Sequence, residues 1–195
     1  MKYFSRRFQQ LLVAIVVSIV ASSTFAADYT VDKKGMHAYI GFKISHLGYS
    51  WLYGRFNDFE GDFSYDKANP NKSKINISID TASVDSNHAE RDKHLRSKDF
   101  LHVDKFPKAT FVSTSYKENA DGSGELVGKL TLHGVTKSVT IKTQYINEGK
   151  DPWGGYRIGF EGTTELAMAD FGITKDLGPA SKDLELTLAI EGVRK

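Results

Sequence analysis

The sequence of 195 residues contains no cysteine. This absence excludes disulfide bonds, thiolate metal sites, a thiol nucleophile and the cysteine to which a lipoprotein anchor is attached. A folded domain of this composition must therefore be stable through its own hydrophobic core. The chain is long enough to bury a substantial one.

The N-terminal segment lacks the length to span a membrane. Its uncharged apolar run, residues 11–21, has 11 residues, whereas a spanning helix needs roughly 20. Basic residues precede this run and small residues ending at Ala26 follow it, which is the layout of a secretory signal peptide. We predict that residues 1–26 are a cleaved signal peptide. Residues 27–195 then form a single domain in the periplasm, with no stable membrane anchor.

Basic and acidic residues are nearly balanced once the signal peptide is removed. Lys2, Arg6 and Arg7 are three of the 26 basic residues, and none of the 24 acidic residues precedes Asp28. The mature chain therefore has 23 basic residues, one fewer than its acidic residues. Because the basic character belongs to the signal peptide, no nucleic-acid partner is expected.

Apolar and polar residues alternate repeatedly along the mature chain, which is typical of strands with one apolar face. Turn sequences such as Asn69-Pro70-Asn71 and His133-Gly134 separate these runs. The pattern predicts an all-β fold of about eight strands, either an antiparallel barrel or a sandwich. The alternating runs cover residues 38–44, 59–65, 75–79, 126–132, 139–145, 158–166 and 184–190.

One segment breaks the alternation. Residues 86–96 are polar, rich in helix formers and open with good N-cap residues. They predict a short helix of about three turns, on the outside of the barrel or across one mouth. Alternation alone does not decide whether the barrel interior is filled by side chains or holds one ligand.

No constellation of catalytic or metal-binding residues is apparent. The six histidines are scattered, and His88 and His94 diverge on a helix, so no metal site is predicted. Glu90 and His94 share a helix face, but this spacing favours a solvated contact. The G-x-S-x-G motif of serine hydrolases is absent. We therefore predict no catalytic residue and no cofactor.

Several long contiguous segments resemble the YceI-like family. They are HLGYSWLYG at residues 46–54, NHAERDKHLRS at 87–97, FPKATF at 106–111, LHGVTK at 132–137 and DLGPAS at 176–181. The similarity extends over the whole mature chain. It implies an extended, lipocalin-like antiparallel β-barrel whose interior takes a polyisoprenoid chain, in secreted bacterial proteins. It implies no catalytic residues.

This resemblance favours a ligand cavity over a packed core, and strand phase then predicts which side chains line it. We expect the ligand to be a long-chain isoprenoid lipid, which the protein carries or stores. Two other functions stay open: an enzyme that acts on a bound isoprenoid or its head group, using Glu90 and His94 at the barrel mouth, and a ligand-free stress-response interaction module. The predicted lining residues are Ile40, Phe42, Phe63, Ile77, Phe111, Leu130, Ile141, Phe160, Leu186 and Leu188.

Cleavage of the signal peptide is the first testable prediction. Protein recovered from a periplasmic extract should have the intact mass of a chain that begins at Ala27. Retention of residues 1–26 in a membrane fraction would contradict it.

Overall fold

The computed structural model describes residues 26–195. The predicted signal peptide therefore lies outside the described residues except for Ala26. No helix within 26–195 has the length and apolar character needed to cross a bilayer.

The described residues form eleven strands and one α-helix, α1 (Ala89–Arg96), which lies between β6 and β7. The strands are β1 (Ala27–Val31), β2 (Tyr39–His46), β3 (Ser50–Phe56), β4 (Phe59–Tyr65), β5 (Lys74–Asp80), β6 (Val84–Asp85), β7 (Lys108–Glu118), β8 (Ser123–Leu132), β9 (Val135–Lys150), β10 (Tyr156–Ala167) and β11 (Asp183–Arg194).

The eleven strands form one antiparallel sheet that occupies eight positions around a barrel. Strands β1 and β2 both pair with β11, at its C-terminal end and along its first half respectively. Similarly, β4 pairs with β5 while β3 pairs with β6, so three positions are each shared by two consecutive strands. The pairing of β1 with both β4 and β11 closes the sheet. The prediction of an antiparallel barrel of about eight strands is confirmed.

The hydrophobic core lines the inside of this barrel because side chains alternate across each strand. On β8, Leu126 and Leu130 are buried, whereas the intervening Lys129 is exposed. Gly128 shares their inner face, and a Cβ atom there would overlap the ring of Phe111 on the neighbouring strand. This glycine therefore leaves space for an aromatic side chain to lie across the interior.

The predicted short helix is present, but it is shorter than expected. It begins at Ala89 rather than near Ser86, because Asn87 has a left-handed backbone with φ of 61°. The backbone N–H and hydroxyl of Ser86 both donate to the Asp92 carboxylate, which holds Ser86 outside the helix. His88 is the N-cap, since its Nδ1 accepts a hydrogen bond from the N–H of Arg91 at 3.2 Å. The helix therefore has eight residues, about two turns.

A charged cluster joins the strands at the seam where the barrel closes. The buried carboxylate of Asp32, just after β1, accepts hydrogen bonds from the N–H of Gly35 at 2.7 Å and from Arg157 on β10 at 2.6 Å, and it contacts Nδ1 of His37 at 2.9 Å. Arg157 also pairs with Glu191 on β11. Burial raises the pKa of Asp32, but these hydrogen bonds outweigh it and lower that pKa to about 2.

Substitution Asp32→Asn tests the contribution of this cluster. The pKa of Asp32 is about 2 in the fold, below its ordinary value of 3.8. The carboxylate therefore stabilises the fold above about pH 4, and this stabilisation is lost as the pH falls towards 2. We expect the variant to lower the free energy of unfolding by roughly 2 kcal/mol at pH 7, and the difference to shrink below pH 4.

Urea denaturation at a series of pH values measures this effect. Asp104→Asn, at an exposed position, is the matched control and should change stability by less than about 0.5 kcal/mol. A loss in Asp32→Asn that is independent of pH would contradict the interpretation.

Candidate ligand cavity

Two apolar cavities lie one above the other inside the barrel. The mouth cavity, of about 260 Å³, lies beneath α1 and is lined by residues such as Phe42, Leu95 and Leu132. The inner cavity, of about 130 Å³, lies towards the opposite end of the barrel. The same four side chains form part of both linings, so the two cavities adjoin: Ile40, Ile79, Leu130 and Leu186.

All ten side chains that the sequence predicted to face the interior line these cavities. Phe42 lines the mouth cavity, and Ile40, Leu130 and Leu186 line both. Contact between these side chains and a ligand stays a prediction. The other six line the inner cavity: Phe63, Ile77, Phe111, Ile141, Phe160 and Leu188.

Polar side chains gather at the inner cavity's far end, away from α1. The hydroxyls of Tyr65 and Tyr116 both donate to the carboxylate of Glu118, at 2.9 and 2.7 Å. Burial, followed by the Glu118 contact, raises the pKa of Tyr65, and burial is also the main cause of the raised pKa of Tyr116. The hydroxyl oxygens of Thr143 and Tyr145 are also buried, and hydrogen bonding by Thr143 to Tyr116 and by Lys67 to Tyr145 partly offsets the rise in the pKa of those two tyrosines. Tyr65, Tyr116, Glu118, Thr143 and Tyr145 are called the polar end.

Sequence reasoning did not identify the polar end. Tyr116 and Glu118 are separated from the other members by long stretches of chain, and only the barrel closure brings them to Tyr65. One usable signal was present in β9, where Thr143 and Tyr145 are in phase with the buried Ile141. Polar atoms on a predicted apolar face are a reason to expect an interior polar site.

The mouth cavity is bounded by α1 on one side. Arg91, His94 and Leu95 of the helix line it, and the Nε of Arg91 donates to the hydroxyl of Ser86 at 2.7 Å. The Nε2 of His94 lies 3.3 Å from Asp99. Glu90 is exposed and does not line the cavity, so the structure does not join Glu90 and His94 in one site.

The mouth cavity comes close to the surface between β3 and α1. Strand β3 pairs with β6 only through Arg55 and Phe56, so the rest of its outer edge has no strand partner among the described residues. A surface groove of about 360 Å³ lies beside this edge. His46, Leu52 and Arg91 line both the groove and the mouth cavity. The space between β3 and α1 is therefore a short path from solvent to the barrel interior.

The described residues contain one group of side chains with metal-ligand spacing, formed by Asp32, His37 and Glu191. The sequence did not predict this group. The guanidinium of Arg157 already bonds both carboxylates and provides a positive charge there. That the protein requires no metal stays a prediction, and elemental analysis of the purified protein tests it.

The sequence comparisons identify the family. A family model for the YceI-like domain matches residues 29–192. The chain belongs to the YceI-like family. It is 60% identical over 186 residues to a UPF0312 protein of Ectopseudomonas mendocina, a match that covers 94% of this chain and 97% of that protein. A UPF0312 protein of Yersinia enterocolitica is 56% identical over 190 residues, covering 96% of this chain and 98% of that protein.

Solved structures have the same barrel fold. Campylobacter jejuni YceI protein superposes with a TM-score of 0.70 at 29% identity, covering 78% of this chain and 91% of that one. Burkholderia cenocepacia BcnA gives a TM-score of 0.74 at 21% identity, with 83% and 98% coverage. A domain from Saccharophagus degradans, described as polyisoprenoid-binding, gives 0.63 at 16% identity, with 86% and 98% coverage.

Substitution Leu130→Trp tests whether the interior is open. Leu130 lines both cavities, so the added ring has space to occupy, and the free energy of unfolding of the ligand-free protein should change by less than about 1 kcal/mol. Val31 is also buried but lines neither cavity, so Val31→Trp should cost roughly 1–3 kcal/mol or more. Chemical denaturation measures both, and equal large losses would indicate a filled core.

Proposed function

We propose that this protein binds a long-chain polyisoprenoid lipid in the barrel interior and acts as a periplasmic carrier or store for it. The observation that carries this proposal is the pair of adjoining apolar cavities along the barrel. An elongated apolar chain could occupy both cavities past Ile40 and Leu186, which line each of them. The polyisoprenoid-binding description of the Saccharophagus degradans domain supports the choice of ligand.

The energetics of such binding come from the hydrophobic effect. Removing apolar surface from water is worth about 25 cal/mol per Å², from which the cost of association is subtracted. An isoprenoid chain is poorly soluble in water and gains this free energy on entering an apolar barrel. A cavity lined almost wholly by aliphatic and aromatic side chains provides little directional chemistry, which suits binding rather than turnover.

A binding role also agrees with the environment of α1. The enzyme alternative would use Glu90 and His94 together, whereas His94 contacts Asp99 and packs against the ring of Phe100 at 4.9 Å between centroids. Periplasmic export rests on the signal-peptide pattern that ends at Ala26. A carrier in that compartment would shield an isoprenoid from water.

Lipid extraction is the direct test. Protein purified from its native periplasm without detergent should yield, on extraction with organic solvent, a polyisoprenoid at close to one molecule per chain by mass spectrometry. The Leu130→Trp variant should contain several times less, because its added ring occupies ligand space. An extract of the folded parent that contains no isoprenoid would refute the proposed function. Loss of the extracted lipid's head group on incubation with the protein would instead support an enzyme.

A further inference from the structure

The surface groove between β3 and α1 differs chemically from the mouth cavity that it adjoins. Aliphatic and aromatic side chains provide almost all of the mouth-cavity surface, whereas serine, asparagine, histidine and arginine side chains line much of the groove. The described residues that line the groove include Arg91 and His46 but no aspartate or glutamate. The groove is therefore a polar recess with a cationic side chain, at the point where the path into the barrel meets solvent.

The Arg91 side chain is held in place without being neutralised. Its Nε donates to the hydroxyl of Ser86 at 2.7 Å, and its Nη2 donates to the carbonyl of the same residue. Asp92 is linked to Arg91 through that hydroxyl, which donates to the Asp92 carboxylate. Within the described chain, the arginines that form ion pairs are Arg55 and Arg157. The guanidinium of Arg91 therefore keeps its charge, and its Nη1 donors stay available to a bound anion.

Other cations close to the groove are already paired. Lys43, whose Nζ lies 5.1 Å from the centre of the Trp51 ring, is 2.9 Å from the carboxylate of Glu185. By contrast, His46 is exposed, and no side chain or backbone group in the described range hydrogen-bonds to its ring. Arg91 and His46 are therefore the basic side chains of the groove that can turn their donors to a ligand.

The position of these two side chains fits the head of a lipid whose tail is inside the barrel. Both line the mouth cavity as well as the groove. An anion bonded to them in the groove would have its attached chain at the entrance to the apolar interior. The opposite orientation would take the anion past both apolar cavities to the polar end, where the carboxylate of Glu118 would repel it. Burial of an unpaired charge is strongly unfavourable, so the tail enters first.

We propose that Arg91 and His46 form a head-group site for an anionic isoprenoid lipid of the isoprenyl phosphate class, whose phosphate lies in the groove while its chain extends into the barrel. A planar guanidinium suits this ligand because it can donate two parallel hydrogen bonds to phosphate oxygens. The inference rests on the proposed lipid-binding function. It specifies the class of lipid and which way round the lipid is held.

Two probes of one chain length separate the head group from the tail: phytyl phosphate and the alcohol phytol. Their affinities for the delipidated full mature chain are measured by displacement of N-phenyl-1-naphthylamine, below the concentration at which they form micelles. Physiological ionic strength screens charges that do not touch the ligand. The parent should bind phytyl phosphate about tenfold more tightly than phytol, the gain expected for hydrogen bonds to a charged group. Inorganic phosphate, titrated by calorimetry, should bind at least about tenfold more weakly than phytyl phosphate, because it lacks the buried tail.

Substitution Arg91→Gln should weaken phytyl phosphate binding about tenfold, and His46→Gln about threefold, while phytol binding changes less than twofold. Arg96→Gln is the matched control, since Arg96 lies on the same helix and donates to the carbonyl of Val84 but lines neither the groove nor the cavities. It should leave both affinities within twofold of the parent. If Arg91→Gln lowers the denaturation midpoint, the exposed His46→Gln variant decides, and equal losses for both probes there would contradict the site.

The outcomes separate this site from the lipid cavity. Equal affinity of the parent for phytol and phytyl phosphate, or equal weakening by Arg91→Gln and Arg96→Gln, would overturn the head-group site and leave the cavity intact. Inorganic phosphate that binds as tightly as phytyl phosphate would make the groove a site for the free anion and would also overturn the proposal. Failure of the folded parent to bind either isoprenoid would refute the proposed function itself.

Discussion

Closure of the sheet is the constraint on which the rest of this structure depends. Once β1 pairs with β11, every strand position has two neighbours and alternate residues must point into a shared interior. The inward residues are mostly aliphatic and aromatic, yet they do not fill the space, so apolar cavities remain on either side of Ile40 and Leu130. The cluster around Asp32 and Arg157 lies at that seam, which explains why its charges bridge β1, β10 and β11.

The barrel class and the inner face were accessible from sequence because they depend on local alternation. Ile77 on β5 and Leu130 on β8 were placed inside by phase alone, and each lines a cavity. The division of three positions between consecutive strands was not predicted. The bulge on β9 was also missed: Tyr145 pairs with Phe160 while Asn147 pairs with Gly159, which leaves Ile146 without an opposite residue. Such irregularities depend on the partner strand, and the sequence of one segment does not identify its partner.

The candidate site was predictable to a similar extent. Its apolar lining followed from strand phase, whereas the polar end depends on contacts between distant segments. Glu118 meets Tyr65 across 53 positions of sequence, and no local pattern encodes that contact. The helix start was misjudged for a different reason, since Asp92 competes with the helix for the polar groups of Ser86. A side chain that hydrogen-bonds to nearby backbone groups can keep a residue out of a helix, and composition does not show where this happens.

The three barrel positions that are each shared by two short strands form a weakly paired side of the wall. The long strands β7–β11 form a strongly paired side. Two residue pairs, Arg55 with Asp85 and Phe56 with Val84, join β3 to β6, whereas eleven pairs join β10 to β11. Separation of β3 from β6 and α1 therefore breaks only a small part of the hydrogen-bond ladder. The long strands β7–β11 stay paired. We therefore expect local opening to begin on the β3–β6 side, and global unfolding to require separation of the long strands β7–β11. Hydrogen exchange should be fast in the amides of β6 and slow in those of β10, although both belong to the same closed barrel.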